Sequence, residues 1–223
     1  MRMACFFRQK LTHLSALLLG LFSVFMVSAA LEISDALLEK ISQKYGTKAT
    51  TRIEQWMKLI HTAKSLPEQE KLKRVNKFFN QRIDFVDDIY LWNRNDYWAT
   101  PVEFLSRGQG DCEDYSIAKY FTLIELGVPE TKMRITYVKA LKLNQAHMVL
   151  TYYSSPHVVP VVLDNLIPEI IKADKRTDLQ PVYNFNGSGL WLSKERGNGR
   201  KVGGIDRLNM WSELKKRMLE NAY

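Results

Sequence analysis

Cysteine is scarce in this sequence: only Cys5 and Cys112 are present among 223 residues. Cys5 falls in an N-terminal segment with the features of an export signal, so the exported chain would keep Cys112 alone. An internal disulfide is then excluded, and a zinc site built from cysteine and histidine is disfavoured. A lone thiol in an oxidising compartment is a liability unless it is buried or used, which makes Cys112 the first candidate functional residue.

The sequence also has no internal repeat, no low-complexity segment and no stripe of basic residues interleaved with aromatic ones. The last absence argues against nucleic acid as a partner. Apolar residues make up 46% of the chain and charged residues 25%, which is typical of a globular domain with enough apolar material for a core. The sequence therefore predicts one folded domain over residues 30–223.

The chain opens with a secretory signal pattern. Three basic residues within the first ten precede an uncharged stretch, residues 11–31, in which small residues close the pattern. This pattern predicts that residues 1–29 are a signal peptide, cleaved after Ala29. The alternative is an uncleaved inner-membrane anchor, because the uncharged stretch is just long enough to span a bilayer.

The first half of the remaining chain has a helical pattern. Apolar residues recur at helical spacing over residues 33–81. A further helix is predicted over residues 112–126, after Asp111, which is a good N-cap residue. The predicted helical part thus extends over residues 33–126.

After this helix the apolar pattern changes to a period of two. Segments rich in Val, Ile, Thr and Tyr are predicted to be strands at residues 133–141, 146–153 and 158–163, with a further β region at 179–192. The sheet part thus covers residues 133–192. A glycine-rich basic loop is predicted over residues 196–204, and an amphipathic helix over residues 210–219. Helices followed by antiparallel strands predict an α+β fold, with an N-terminal helical lobe packed against the sheet.

Three residues, in chain order, form a candidate unit for nucleophilic catalysis. Cys112 lies in the first turn of a predicted helix, where free N–H groups and the helix dipole stabilise a thiolate. His147 lies in one predicted strand and Asp164 at the end of the next, so adjacent antiparallel strands can place them side by side. If the helix packs on this sheet, a thiol, a base and an orienting carboxylate meet.

Each of these residues also has an ordinary structural interpretation. A lone cysteine is often a small buried residue, a strand histidine is often structural, and an aspartate after a strand is often a turn residue. Their order along the chain favours the catalytic interpretation. Among the other histidines, His157 is a weaker candidate base in a turn, and His61 belongs to the N-terminal helices.

Acidic residues surround the candidate nucleophile: Asp111, Glu113 and Asp114. Three carboxylates beside a thiol would raise its pKa and weaken it as a nucleophile. A bound divalent cation would remove this conflict, and clustered oxygen ligands suit calcium. The alternative is that these acids only complement the dipole at a helix start.

Four segments carry a family resemblance: residues 96–101 (DYWATP), 108–115 (GQGDCEDY), 144–150 (NQAHMVL) and 163–165 (LDN). They resemble the LapG family of bacterial transglutaminase-like cysteine proteinases of the periplasm. The resemblance implies a papain-like fold in which Cys112, His147 and Asp164 form the catalytic triad. It also implies calcium beside the active site, with Asp111, Glu113 and Asp114 as ligands and Asp96 as a further one.

The same resemblance implies a substrate and a regulator. The substrate would be a large surface adhesin, cut at a di-alanine site near its N-terminus so that the biofilm disperses. An inner-membrane receptor of the LapD type, which senses cyclic-di-GMP, would sequester the protease when the nucleotide is abundant.

Two other interpretations of the same residues stay open. A transglutaminase or an amidase would use the same triad, since fold alone does not choose between acyl acceptors. A non-catalytic, calcium-dependent binding module would keep Cys112 only as a buried residue. For a catalytic site, the Cys112 backbone N–H and the indole N–H of Trp98 are the candidate donors to an oxyanion.

Overall fold

The computed structural model describes residues 33–156, 158–193, 199–205 and 208–221. The predicted signal peptide and His157 lie outside the described residues, so what the sequence predicts for them stays a prediction. Among the described residues, no helix is long and apolar enough to cross a membrane.

The architecture is α+β, as the sequence predicts. The helices of the described residues are α1 (Asp35–Tyr45), α2 (Thr47–Ala63), α3 (Glu68–Arg82), α4 (Asp88–Leu91), α5 (Pro101–Arg107), α6 (Cys112–Glu125) and α7 (Asn209–Asn221). The helical pattern before residue 82 is divided into three helices. Gly46, whose φ is +79°, separates α1 from α2, and Pro67 directly precedes α3.

Most of the strands come after α6 along the chain. They are β3 (Met133–Ala140), β4 (Gln145–Tyr152), β5 (Val161–Leu163), β6 (Ile171–Lys172), β7 (Leu179–Asn186), β8 (Gly189–Leu192) and β9 (Arg200–Gly203), after a short parallel pair of β1 (Asp84–Phe85) and β2 (Gln109–Gly110). Strands β3 to β9 form one antiparallel sheet in the order β6-β5-β4-β3-β7-β8-β9. The chain neighbours β4 and β5 are therefore also neighbours in space.

Two of the predicted strand and loop boundaries are wrong. The strand predicted from residue 158 begins only at Val161, because Pro160 directly before it has no N–H for a sheet ladder. Within the loop predicted over residues 196–204, β9 pairs with β8. Its four residues, RKVG, do not alternate in polarity, so the strand depends on a partner that the local sequence does not reveal.

Helix α6 lies at the centre and packs between α3 and β4. Its apolar residues face the main core, together with Met148 and Leu150 of β4. The alternate β4 residue Val149 belongs to a smaller apolar cluster, as expected where successive side chains point to opposite faces of a sheet. The Oγ of Ser116 lies 2.9 Å from the Cys112 carbonyl oxygen and 3.1 Å from that of Met148. These contacts fix the first turn of α6 against the strand that carries the candidate base.

The last helix packs against the core. The amphipathic helix predicted over residues 210–219 corresponds to α7. Its Trp211 is buried and lies with its ring 5.7 Å from that of Tyr120, 5.4 Å from that of Phe121 and 5.5 Å from that of Phe185. The C-terminal helix thus packs on both α6 and β7.

Candidate active site

Cys112 is the first residue of α6. Asp111 before it occupies the N-cap position, but its side chain makes no capping bond, which corrects the expectation of an ordinary N-cap. The backbone N–H groups of the first helical turn therefore remain free of that side chain, and they point toward the Cys112 end of the helix. This is the environment in which a developing negative charge on sulfur or oxygen is stabilised.

His147 and Asp164 form a buried pair at the ends of β4 and β5. The Nε2 atom of His147 lies 2.8 Å from Oδ1 of Asp164, and the two residues are only 3% and 1% exposed. With Nε2 held by the carboxylate, Nδ1 is the ring nitrogen left to exchange a proton with a nucleophile. The antiparallel pairing of β4 with β5 thus produces the contact that the sequence predicts between these residues.

The Asp164 carboxylate is held in its ionised form. Burial alone would raise the pKa of Asp164, but hydrogen bonds from His147, from the Leu166 N–H and from Arg176 lower that pKa to about 2. The Leu166 N–H donates to Oδ1 at 3.0 Å, and Nη2 of Arg176 donates to Oδ2 at 2.7 Å. An ionised partner can fix the imidazole tautomer and stabilise an imidazolium.

Cys112 and His147 line the same cleft, which has a volume of about 380 Å³. Asp164 lies behind His147 and does not line the cleft. The other walls are acidic and aromatic: Phe85, Asp87, Asn95, Asp96, Trp98, Asp111, Glu113, Tyr137, Gln145, Ala146, Met148, Leu166 and Tyr183. The structure therefore brings the candidate nucleophile and base to one open surface, with the orienting carboxylate shielded from water.

The thiol of Cys112 is opposed by the acids beside it. Its Sγ donates to Oε2 of Glu113 at 3.1 Å. Burial raises the pKa of the Cys112 thiol well above its usual value, and the negative charges of Glu113 and Asp111 raise it further. With these carboxylates ionised and unbalanced, the thiolate that nucleophilic attack requires is disfavoured.

Three carboxylates converge beside this thiol. Asp88, Asp111 and Glu113 each have an oxygen within 4.8 Å of the others. Burial raises the pKa of Asp88 to about 6 and also raises the pKa of Asp111 and Glu113, and the nearby negative charges add to the shift for each. Buried Oδ1 atoms of Asp88 and Asp111 have no hydrogen-bond donor among the described residues. Unpartnered, mutually repelling oxygen atoms of this kind fit a divalent cation that prefers oxygen ligands, as calcium does.

The four acids that the resemblance implies as ligands have different positions. Asp111 and Glu113 are in the cluster. Asp114 is fully buried and accepts a hydrogen bond from the Ala99 N–H at 2.7 Å, while its Oδ2 has no donor among the described residues. Asp96 is exposed at the cleft wall and lies outside the cluster.

Sequence reasoning missed Asp88. It lies 24 positions before Cys112 and reaches the site because β1 pairs with β2, which brings the start of α4 beside the loop before α6. Its carboxylate accepts the Tyr97 N–H, so it also holds the segment that leads to Trp98. The Asp87-Asp88 acid pair in an otherwise aromatic stretch was the only local signal.

Two further side chains named from the sequence can be placed. Trp98 is buried, stacks on Phe185 with ring centroids 5.5 Å apart, and also lines the cleft. It therefore serves as core and as cleft wall at once. His61 is exposed on α2, away from the cleft.

Comparisons with known proteins show the family of the chain. A sequence model of the bacterial transglutaminase-like cysteine proteinases matches residues 42–185, which include Cys112, His147 and Asp164. The chain is similar to the solved structure of EGTA-treated LapG from Legionella pneumophila: identity is 45%, coverage is 83% of this chain and 98% of that chain, and the TM-score is 0.73. It is also similar to the calcium-bound structure of the same protein, with 45% identity, 83% and 99% coverage and a TM-score of 0.70. None of the curated proteins is significantly similar to the chain.

Proposed function

The chain belongs to the family of bacterial transglutaminase-like cysteine proteinases, and on that premise we propose that it is an exported, calcium-dependent endopeptidase. Its catalytic residues are Cys112, His147 and Asp164. The observation that carries this proposal is that Cys112 and His147 line one cleft while the Nε2 of His147 is bonded to a buried, ionised Asp164. Its place of action is the periplasm, which the N-terminal signal pattern supports.

The reaction follows from these positions. Nδ1 of His147 takes the proton of the Cys112 thiol, and Asp164 stabilises the imidazolium that forms. The thiolate attacks a peptide carbonyl, and the Cys112 backbone N–H at the helix start donates to the oxyanion. The imidazolium then protonates the leaving amine, and water releases the acyl group from sulfur with His147 again as base.

The acid cluster supplies the calcium dependence. Asp88, Asp111 and Glu113 would hold the ion, with Asp114 directly behind them and Asp96 at the cleft wall. Bound calcium would balance the negative charge that opposes the thiolate. The same ligands join the loop before α6 to α4, so they also fix the position of Cys112. The existence of a calcium-bound structure of the similar Legionella LapG supports this assignment.

The substrate is a large cell-surface adhesin, cut near its N-terminus at a di-alanine site to release the biofilm. The four segments shared with the LapG family support this choice. Near the catalytic pair, the cleft wall includes the small residue Ala146, which leaves space for a substrate with small side chains. A LapD-like membrane receptor that responds to cyclic-di-GMP is the proposed inhibitor. Phe85, Ile89 and Tyr90 are exposed apolar residues on β1 and α4 and are the proposed receptor contacts, and Phe85 also lines the cleft.

A cleavage assay tests the proposal. The purified mature protein is incubated with the N-terminal region of the host's largest surface adhesin, in calcium or in excess chelator, and with or without the receptor's periplasmic domain. We expect one cut in calcium, none in chelator, and inhibition by the receptor. Cys112→Ala should abolish the cut, and Asp164→Asn should lower kcat roughly 10²–10⁴-fold because the imidazole can adopt the wrong tautomer.

The control for removal of the base is a second histidine. His147→Ala should be nearly inactive, whereas His61→Ala removes an exposed histidine from α2 and should cut normally. A cross-linked product in place of a cut one would indicate a transglutaminase. Undiminished cutting by Cys112→Ala would exclude the cysteine-protease assignment, and the absence of any covalent product would favour a binding module.

A further inference from the structure

Arg176 lies directly behind the proposed triad. Its side chain is 2% exposed, and its Nη2 donates to Oδ2 of Asp164 at 2.7 Å. The same guanidinium donates to Asp178, through Nε at 3.0 Å and Nη2 at 2.8 Å. One buried arginine therefore joins the proposed catalytic aspartate to a second aspartate, which is less buried.

The two oxygens of Asp164 have different partners. Oδ1 accepts from Nε2 of His147 and from the Leu166 N–H. Among the described residues, Arg176 is the donor shown to Oδ2. A carboxylate with both oxygens engaged in a buried site cannot turn about its last side-chain bond without breaking a charge-assisted hydrogen bond. Arg176 therefore determines which oxygen of Asp164 faces the His147 imidazole and in which plane the carboxylate lies.

The charges in this group explain how Arg176 can hold Asp164 without cancelling its effect. The guanidinium carries one positive charge, and Asp164 and Asp178 carry two negative charges. The group as a whole therefore keeps one negative charge, which remains available to stabilise an imidazolium on His147. Asp178 both anchors the guanidinium and balances its charge.

We propose that Arg176 is a positioning residue of this active site, which acts on His147 through Asp164 and is itself anchored by Asp178. The catalytic consequence rests on the proposed function of the triad. The effect on the bond between His147 and Asp164 does not, because that bond is a property of the folded protein.

The test compares three variants in two measurements. The variants are Arg176→Gln, Arg176→Lys and the matched control Arg134→Gln. The control removes a half-buried arginine of β3 whose Nη1 donates to Oδ1 of Asn184 at 3.1 Å. The measurements are kcat and KM for adhesin cleavage, and the downfield proton NMR resonance of the His147 Nε2–H, assigned by its loss in His147→Ala.

We expect Arg176→Gln to lower kcat about 10- to 100-fold with little change in KM, because the reacting groups are misplaced while the substrate contacts remain. Its His147 resonance should shift or broaden. Arg176→Lys should fall between the wild type and Arg176→Gln, since an ammonium cannot bond two carboxylates as a planar fork does. Arg134→Gln should keep both the wild-type kcat and the wild-type resonance.

A folded Arg176→Gln protein with wild-type kcat and an unchanged resonance would overturn the proposal. An equal loss of kcat in Arg134→Gln would overturn it too, because the effect would then be a general one on the sheet. If Arg176→Gln does not fold, Arg176→Lys decides, and wild-type values for both measurements in that variant reject the proposal. If the wild type cuts nothing, the proposed function fails, while the NMR comparison still tests the link from Arg176 to His147.

Discussion

Lys119, in the middle of α6, is a buried basic residue whose burial is costly. It is 1% exposed, and its Nζ donates to the carbonyl oxygen of Asp164 at 3.1 Å. Burial lowers the pKa of Lys119 to about 7, against the opposing attraction of Asp164. A buried ammonium with so few partners is unfavourable, even though it lies behind the active site.

This burial has a consequence for stability. The unfolded chain binds a proton on Lys119 up to about pH 10.5, whereas the folded chain releases it near pH 7. Between these values the unfolded state binds more protons, so this residue makes the free energy of unfolding rise with pH. Lys119→Met should therefore raise the free energy of unfolding at pH 7 by about 2 kcal/mol and remove that rise, as measured by urea denaturation at several pH values.

A second buried lysine is the control for this substitution. Lys71 donates to the carbonyl oxygen of Leu126 at the end of α6, at 2.7 Å. Lys71→Met removes that donor and should destabilise the protein, whereas Lys119→Met leaves the Asp164 carbonyl oxygen with its bond from Asn80. Equal destabilisation by both substitutions would show that the Lys119 ammonium stabilises the folded protein, against this prediction.

Single residues also show how far the sequence could predict the site. Cys112 could be found because a lone thiol at a helix start is unusual, and His147 and Asp164 because each ends up in or after a strand that can be recognised locally. Asp88 and Arg176 could not be found in this way. Each depends on a contact across the fold. The acid pair Asp87-Asp88 is the only local signal for Asp88, and the sequence around Arg176 does not distinguish it from an ordinary surface charge.

Among the connections between helices and strands, the loop between α5 and α6 is the one that positions the nucleophile. Gly110 is the last residue of β2 and lies in this loop, two positions before the nucleophile. A Cβ atom built there would lie 2.5 Å from Oδ2 of Asp114 and 2.6 Å from the Phe104 ring. Both neighbours are buried, so the loop and not the neighbours would have to move.

Gly110→Ala should therefore displace the segment that carries Asp111 and Cys112. We expect the calcium affinity, measured by titration calorimetry, and kcat to fall at least about tenfold, together with a lower melting temperature. The control is Gly127→Ala at the end of α6, where φ is +80° but a Cβ atom would meet no other atom within 4 Å. This change should cost about 1 kcal/mol of stability through backbone strain and leave kcat unchanged. Normal calcium affinity in Gly110→Ala would show that the loop tolerates the added methyl group.

The elements differ in how well their sequence predicts them. Helices α1 to α3 and strands β3 and β4 have long periodic patterns, so local apolar spacing is enough to define them. The pair of β1 and β2 has two residues per strand, and β9 lies in a glycine-rich basic segment. These short strands form only because a partner strand offers hydrogen bonds, and that information is in the tertiary structure.

The helical lobe and the sheet each contribute a different part of the active site. The helical lobe contributes the thiol and the acid cluster, and the sheet contributes the base with its buried carboxylate and arginine. The sequence could predict this division, because the α+β order and the resemblance both require it. It could not predict the balance of charge between the halves, which depends on how deeply each group is buried.

This balance of charge makes the stability of the folded protein depend on pH. Burial raises the pKa of Asp88 to about 6 and raises those of Asp111 and Glu113, so without calcium the folded protein binds more protons than the unfolded chain above about pH 4. These carboxylates therefore make the free energy of unfolding fall as the pH rises from 4.5 to 7. Lys119 makes the free energy of unfolding rise with pH, but mainly above about pH 7.

Calcium should reverse this dependence. Protons and calcium compete for the same carboxylates, so calcium binds more tightly as the pH rises and stabilises the folded state by mass action. We expect thermal melts in chelator to show a melting temperature that falls between pH 4.5 and 7, and melts in millimolar calcium to show one that is higher and no longer falls. Magnesium should stabilise less, because it requires a tight octahedral shell and gives up water reluctantly. Asp111→Asn should flatten the curve in chelator and abolish most of the calcium response, since it removes one charge from the cluster. A melting temperature in chelator that rises over this window would mean that these carboxylates are already balanced by the protein itself, and the calcium requirement would then need another cause.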